Sequence, residues 1–432
     1  MKFIHTSDWH LGAKLGEYSR LDEQRDVLDE ICITADKEKA DFIIIAGDLF
    51  DTFNPSNEAV ELLYRGLKKL SADSSRPVIA IAGNHDSPDR IEAPDPLAAE
   101  CGIFFIGYPD FTRSDIQFEN GIKIAFPEKG ILTIDKPDSP QVRILTTPYA
   151  NETRLRKFLG NENREETLSN LLSDRWKKLA DKYCDKTGIN ILTAHLFMAA
   201  DSTPILDEKN SQPDLFAEEK TTTQKPEEPE EEKSILHPGG LELIDAALVP
   251  QQIQYTALGH LHRPQSIKES NAPTIYSGSP LAFGLSEENQ QKSVVLVEIK
   301  PEQKASYERI NLNSGKRVLR KKFKSIDEAV IWLNDNQNCY IELLIECEDY
   351  ISAEDRKRLS DAHNGITAII PVVSGEEASD SSKERNSAPD LTGSMEDLFV
   401  SYFKHKKGIT PDTEMLKLFK EIVSLPEEGG EK

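Results

Sequence analysis

Two aspartates, an asparagine and four histidines stand in short polar runs, each following an apolar or β-branched stretch. Asp8 and His10 lie in HTSDWHLG, Asp48 in AGDLFD, and Asn84 with His85 in AGNHD. His195 ends ILTAH, and His260 with His262 close YTALGHLH. A mixed oxygen and imidazole set suits manganese, iron or zinc better than magnesium. Asp8, His10, Asp48, Asn84, His195, His260 and His262 are too many for one tetrahedral ion but suit two ions sharing a carboxylate. Two ions about 3.5–4 Å apart can stabilise both the attacking and the leaving oxygen of a phosphoester displacement. Each run alone has a plainer reading, because glycine, asparagine and aspartate are ordinary turn residues and His195 also reads as a hydrogen-bonded core histidine. Five such segments at separate chain positions are hard to obtain by packing alone, so the set reads as a dinuclear metal site.

Such a site needs a scaffold that ends several strands in one place. Lys2–Thr6, Asp41–Ala46 and Pro77–Ala82 read as strands, the last two apolar enough to be buried on both faces. Leu21–Lys37 and Asn57–Leu70 between them read as helices. Further strands are expected at Lys123–Phe126, Val142–Thr146, Ile189–Ala194, Tyr255–Leu258 and Ser293–Ile299, the last closing the pattern. The alternation predicts an α/β protein, a two-sheet β-sandwich flanked by helices. The ligand runs then fall at the C-terminal ends of strands, where open α/β sheets place their sites.

The rest of the chain divides by composition. Residues 205–234 carry ten acids, four lysines and three prolines, and are expected to be a disordered acidic insertion. Residues 313–373 alternate Val318–Phe323, a helix around Ile326–Asn334, Tyr340–Cys347, a helix around Ala353–Ala362, and Thr367–Val373, a small α/β module. Residues 374–393 are polar and read as a flexible linker. Residues 394–432 read as two amphipathic helices, the first with Leu398, Phe399, Tyr402 and Phe403 along its apolar face and the second with Met415, Leu416, Phe419, Ile422 and Val423 along its own. They either fold back on the sandwich or dock on a partner.

The chain of 432 residues has 52 basic and 75 acidic side chains, a net charge of −23. That argues against coating nucleic acid by charge alone, though not against gripping phosphate through metal ions or a partner. One basic cluster stands out: Lys316, Arg317, Arg320, Lys321, Lys322 and Lys324. It reads either as a DNA contact, releasing counterions, or as a solvated face. The start MKFIHTSDWH has no signal-peptide core, and no run approaches the ~18 apolar residues of a membrane span. The five cysteines show no CxxC pair, so a cytoplasmic protein with reduced thiols is expected.

The order DxH, GDxxD, GNHD, H, GHxH resembles the calcineurin-like metallophosphoesterase superfamily. The longer runs HTSDWHLG, GDLFD, AGNHDSPDR, GHLHRPQ and YSGSPLAFGLSE are similar to the nuclease subunits of bacterial SbcCD-type complexes. The resemblance covers roughly residues 1–300 in motif order and continues into the module and the C-terminal helices. It implies a nuclease domain over 1–312, a capping domain over 313–373, and helices at 394–432 that dock on the coiled coil of an SbcC-like ATPase. Asp8, His10, Asp48 and His262 would hold one ion. Asp48, Asn84, His195 and His260 would hold the other. Manganese is the expected metal, with magnesium the alternative.

His85 points away from its neighbour Asn84 in an extended segment, so it is expected to face the scissile phosphate and protonate the leaving 3′ oxygen. Asp51 is expected to orient and charge-stabilise it. The resemblance implies ATP-dependent 3′→5′ exonuclease action on duplex DNA, endonuclease action on single strands and hairpin cleavage. It also implies a homodimer within a heterotetramer. No GxxxxGK[ST] loop occurs in the sequence, so ATP would be hydrolysed by the partner. Two rivals stay open: a phosphatase or small-molecule phosphodiesterase on the same metal core, and an inert scaffold for a coiled-coil ATPase. The 205–234 insertion departs from the family pattern and puts the shape of the site's rim in question.

Overall fold

The structure is a computed structural model, and it describes residues 1–155, 164–199, 243–268, 270–288, 290–347, 350–373, 399–400 and 415–416. The acidic insertion at 205–234 and the linker at 374–393 lie outside the described residues. So does the C-terminal helical pair, apart from 399–400 and 415–416, which are helical. The described residues of 1–345 and 352–370 form one compact unit, and those of 346–351 and 371–432 belong to a second.

Two sheets face each other in the first unit. In one, Lys2–Thr6, Phe42–Ile45, Val78–Ile81 and Ile103–Ile106 run parallel in that order. Ser293–Glu298 pairs antiparallel beside Lys2–Thr6, with Ile4 opposite Leu296. It does not close the pattern as expected. Ser306–Asn311 pairs outside it and forms the edge, a half-exposed strand whose residues SYERIN carry little apolar signal.

The other sheet has eight strands. Val142–Thr147, Ile189–His195, Tyr255–Gly259 and Thr274–Tyr276 run parallel through its middle. Gln265–Ile267 closes one side, and Ile131–Asp135, Lys123–Glu128 and Ile116–Gln117 form an antiparallel run on the other.

Alternation of side chains along each strand builds three apolar layers. Phe3, Phe42, Ile44, Ile79 and Ile81 meet Ile144, Ile191, Tyr255 and Ile275 between the sheets. Ile4, Ile43, Ile45 and Ala80 face outward, against Val27, Leu28 and Ile31 of the helix Leu21–Lys37 and Leu63 and Leu67 of the helix Asn57–Leu70. The second helix starts where Ser56 caps it by accepting from the Ala59 amide. The outer face of the second sheet is covered by the helix Arg164–Tyr183. Leu168, Leu172, Trp176 and Leu179 recur there at helical spacing and pack on Leu145, Leu192 and Ala194.

The module expected over 313–373 contains Arg317–Phe323, helix Ile326–Asp335, Cys339–Cys347, helix Ala353–Ala362 and Ile366–Val373. Its first two strands pair in parallel, and most of it belongs to the compact unit of the sandwich. No helix among the described residues is long and apolar enough to cross a membrane, and all five cysteines are free thiols.

Candidate metal centre

The turns leaving the strand ends are backbone-strained where the candidate ligands sit. Asp8, His10, Asp48 and His260 have φ of 53°, 42°, 50° and 103°. Non-glycine residues at positive φ cost of order 1–3 kcal/mol each and tend to cluster at functional sites. The glycines beside them are there for space. A Cβ on Gly83 would fall 2.0 Å from Asp48 Oδ1, and one on Gly259 would fall 1.9 Å from the Ala46 carbonyl oxygen. The G in GNHD and the G in GHLH therefore permit the strand ends to close on one another.

All seven candidate ligands meet at one place. Asp8, His10 and His262 offer donor atoms within 4.8 Å of one another, and so do Asp8, Asp48 and His195. Asp48 Oδ2 lies 3.6 Å from His10 Nε2 and 3.4 Å from His195 Nε2. Its other oxygen accepts the His85 amide at 2.8 Å. Asn84 Oδ1 lies 2.8 Å from His195 Nε2 and 3.1 Å from His260 Nδ1. His262 Nε2 faces His10 Nε2 at 3.0 Å. Asp8 Oδ1 accepts the His260 amide at 2.9 Å, and Oδ2 accepts from Ser7 Oγ. These donors form one contiguous cluster in which Asp48 lies near both His10 and His195, a set whose chemistry fits a pair of divalent ions.

The electrostatics follow from burial. Burial opposes the charge on Asp48, but His195, His85 and His10 outweigh it and hold its carboxyl well below the usual range. His195 is fully buried, which lowers its pKa, yet Asp48 and Asp8 outweigh that and raise it to about 9. His195 Nδ1–H donates to the Ala46 carbonyl at 2.8 Å, which turns Nε2 toward Asp48.

His85 is half-buried, and its Nδ1–H donates to the main-chain carbonyl of Asp51 at 2.8 Å. A carbonyl only accepts, so Nε2 is the atom left for acid–base work. The Asp51 carboxylate approaches His10 Nδ1 at 3.5 Å, and Asp51, His10 and His85 offer donor atoms that all lie within 4.8 Å of one another. The 48–51 turn thus holds His85 by a backbone hydrogen bond and brings the Asp51 carboxylate near both His10 and His85.

Three residues beyond the expected set belong to this place. Asp86 is buried, and its carboxylate accepts from the amides of Leu49, Phe50 and Gly83 at 3.0, 3.0 and 2.8 Å. It ties the GDLFD turn to the GNHD turn. Burial and the neighbouring Asp48 push its pKa up against those three donors. Arg154 donates to the carbonyls of Gly83 and Asp86, each at 2.7 Å, and clamps the GNHD turn from the far side. Glu287 accepts from His262 Nδ1 at 3.1 Å. Asp86 and Glu287 stand within the motifs quoted above, but only the fold gives them partners. Arg154 lies in no motif and carries no sequence signal.

The basic cluster is partly engaged inside its own module. Arg320 pairs with Glu342 at 2.7 Å, while Lys316 and Lys321 lie over the rings of Tyr340 and Trp332 at 5.0 and 4.6 Å.

A family model described as calcineurin-like phosphoesterase matches residues 1–264. The chain is 35% identical over 439 aligned positions to the D subunit of the nuclease SbcCD from Bacillus subtilis, an alignment that spans all of both chains. It is 26% identical to the protein of the same name from Staphylococcus epidermidis, over 86% of each chain.

Proposed function

The chain belongs to the calcineurin-like phosphoesterase family, and within it to the SbcD-type nucleases; on that premise we propose a dinuclear DNA nuclease whose ions share Asp48. It is a metal-dependent phosphodiesterase. In the proposed arrangement Asp8, His10, Asp48 and His262 hold one ion, and Asp48, Asn84, His195 and His260 hold the other. Manganese suits this imidazole-rich donor set better than magnesium. Bound there, the ions would supply Lewis-acid charge to the scissile phosphate and activate water at neutral pH.

The chain's own groups do the rest. Asp8 and Asp48 are already fixed by amide and hydroxyl donors. His85, held by the Asp51 carbonyl, presents Nε2 to the leaving 3′ oxygen and delivers a proton to it. Imidazole is the side chain most often used for such a transfer. The proposal takes in DNA as substrate, ATP-dependent 3′→5′ attack on duplex ends, single-strand endonuclease action and hairpin cleavage, which the resemblance of the motifs to SbcCD-type nuclease subunits suggests. It also takes in docking of 394–432 on an SbcC-like ATPase, a homodimer within the assembly, a capping role for 313–373 and a cytoplasmic location.

The observation that carries the reading is the placement of Asp48 between His10 and His195 at 3.6 and 3.4 Å. The test is manganese-dependent digestion of a hairpin duplex, with and without the cognate ATPase. Asp48→Asn should abolish cleavage and lower the metal content. Normal turnover by that variant with two ions bound would sink the dinuclear assignment. Hydrolysis of phosphomonoesters without any action on DNA would favour the phosphatase reading instead.

A further inference from the structure

We propose that Glu287, braced by Lys292, is a positioning residue for the ion assigned to Asp8, His10, Asp48 and His262, fixing the proton of His262 on Nδ1 so that Nε2 carries the metal-facing lone pair. The inference rests on the dinuclear reading.

Glu287 ends a short turn, Leu285–Glu287, and is 6% exposed. Oε1 accepts from His262 Nδ1 at 3.1 Å and from the Phe283 amide at 3.2 Å. Oε2 accepts from Ser279 Oγ at 3.2 Å and from the Lys292 ammonium. Lys292 is 7% exposed and also donates to Ser279 Oγ, the His262 carbonyl and Gln290 Oε1 at 2.9, 3.1 and 3.1 Å. Both oxygens already serve as acceptors, Oε1 for the Phe283 amide and Oε2 for the Lys292 ammonium, so in the contact with His262 the imidazole is the donor. Its ring is thereby set with Nε2 toward His10.

The other histidines are backed differently. His195 donates to a neutral main-chain carbonyl, and the carboxylate nearest His10 Nδ1 stands off at 3.5 Å. His262 differs from both in having a charged acceptor at hydrogen-bond distance, 3.1 Å. A buried ion pair is a weak way to add stability, because desolvation offsets much of its attraction. What this one adds is a fixed acceptor, and such outer partners are typically worth 10–100-fold in metal affinity.

The test is calorimetric titration of the metal-free full-length chain with manganese, alongside thermal melts. Glu287→Met with Lys292→Met keeps the volume and removes acceptor and cation together. Wild type should take up two ions per chain, and the double variant should bind one of them about 10–100-fold more weakly while the other is unchanged. Glu287→Gln with Lys292→Met retains an acceptor oxygen and should recover most of the loss. Glu287→Asp preserves the ion pair but withdraws the carboxylate, and should weaken the same ion, which serves if the double variant does not fold. Wild-type affinity for both ions in the folded Met/Met or Asp variant would overturn the proposal. So would equal weakening of both ions, or no recovery with Gln, since a merely structural clip predicts those. Uptake of a single ion by wild type would refute the dinuclear reading. In that case an unchanged affinity in the variants would still refute the role of Glu287.

Discussion

His85 and Asp51 separate two roles that a motif alone merges. The imidazole is fixed by a main-chain carbonyl at Nδ1 and its amide is fixed by Asp48, so replacing the ring should leave the ligand shell intact. His85→Gln is expected to bind two manganese ions and lose about 10²–10⁴-fold in cleavage rate, read by metal analysis beside single-turnover kinetics. A parallel fall in metal content would make His85 a ligand. Asp51→Asn leaves the carbonyl in place, so it should cost less rate than His85→Gln and act on metal affinity through His10. Equal rate losses with full metal content in both variants would return the Asp51 carboxylate to His85. The seven proposed ligands were legible because each follows a strand, and strand ends are readable from runs such as DFIIIA and PVIAIA. The approach of the Asp51 carboxylate to His10, and the backbone hold on His85, were not, since turn geometry decides which rings a side chain and a carbonyl meet.

The first turn of the helix Leu21–Lys37 joins the metal loop to the small module. Gln24 donates to the His10 carbonyl at 2.7 Å and accepts from the Gly12 amide at 3.0 Å. One residue earlier, the Glu23 carboxylate accepts from Arg20 at 2.5 and 3.1 Å, from the Lys316 amide at 2.5 Å and from the Tyr340 hydroxyl at 3.0 Å. Arg20 is fully buried and has only Glu23 as a counter-charge at this distance among its described partners. Glu23→Ala should therefore cost about 3–5 kcal/mol, because it strands a buried guanidinium. Tyr340→Phe should cost about 0.5–1.5 kcal/mol, the loss of one hydrogen bond. Urea denaturation measures both, and a Glu23→Ala penalty no larger than that of Tyr340→Phe would show that Arg20 finds another partner. The helix itself was readable to its ends from apolar spacing. This junction was not, because its partners come from residues roughly 300 positions apart, and the edge strands of two or three residues carry no periodic signal of their own.

At the scale of the whole molecule, the two sheets are joined through an apolar layer that contains one imidazole. His5 is fully buried among Phe3, Phe42 and Tyr255 on strands of both sheets. It donates from Nε2 to the Leu258 carbonyl at 3.1 Å and accepts at Nδ1 from the Tyr255 hydroxyl at 3.0 Å. Those two bonds satisfy the neutral ring completely, and a second proton would displace the tyrosine donor. Burial accordingly pulls its pKa down from 6.5 to about 3, against a smaller opposing effect of the Leu258 carbonyl. In the unfolded chain the ring titrates at its ordinary value, so below pH 6.5 the unfolded state binds a proton that the folded state refuses. The stability that neutral His5 contributes is complete above pH 6.5 and is lost as pH falls toward 3. One proton of difference amounts to about 1.4 kcal/mol per pH unit, hence about 2 kcal/mol between pH 6 and pH 4.5. His5→Phe fills the same space and cannot titrate. It should be the less stable protein at pH 7, having orphaned the Tyr255 hydroxyl, yet its stability should fall less steeply with acid. Titration of the metal ligands is common to both proteins and cancels in the difference. Urea denaturation at half-unit steps from pH 7 to pH 4.5 gives both slopes, and parallel curves would mean that the joint between the sheets takes up its proton without opening.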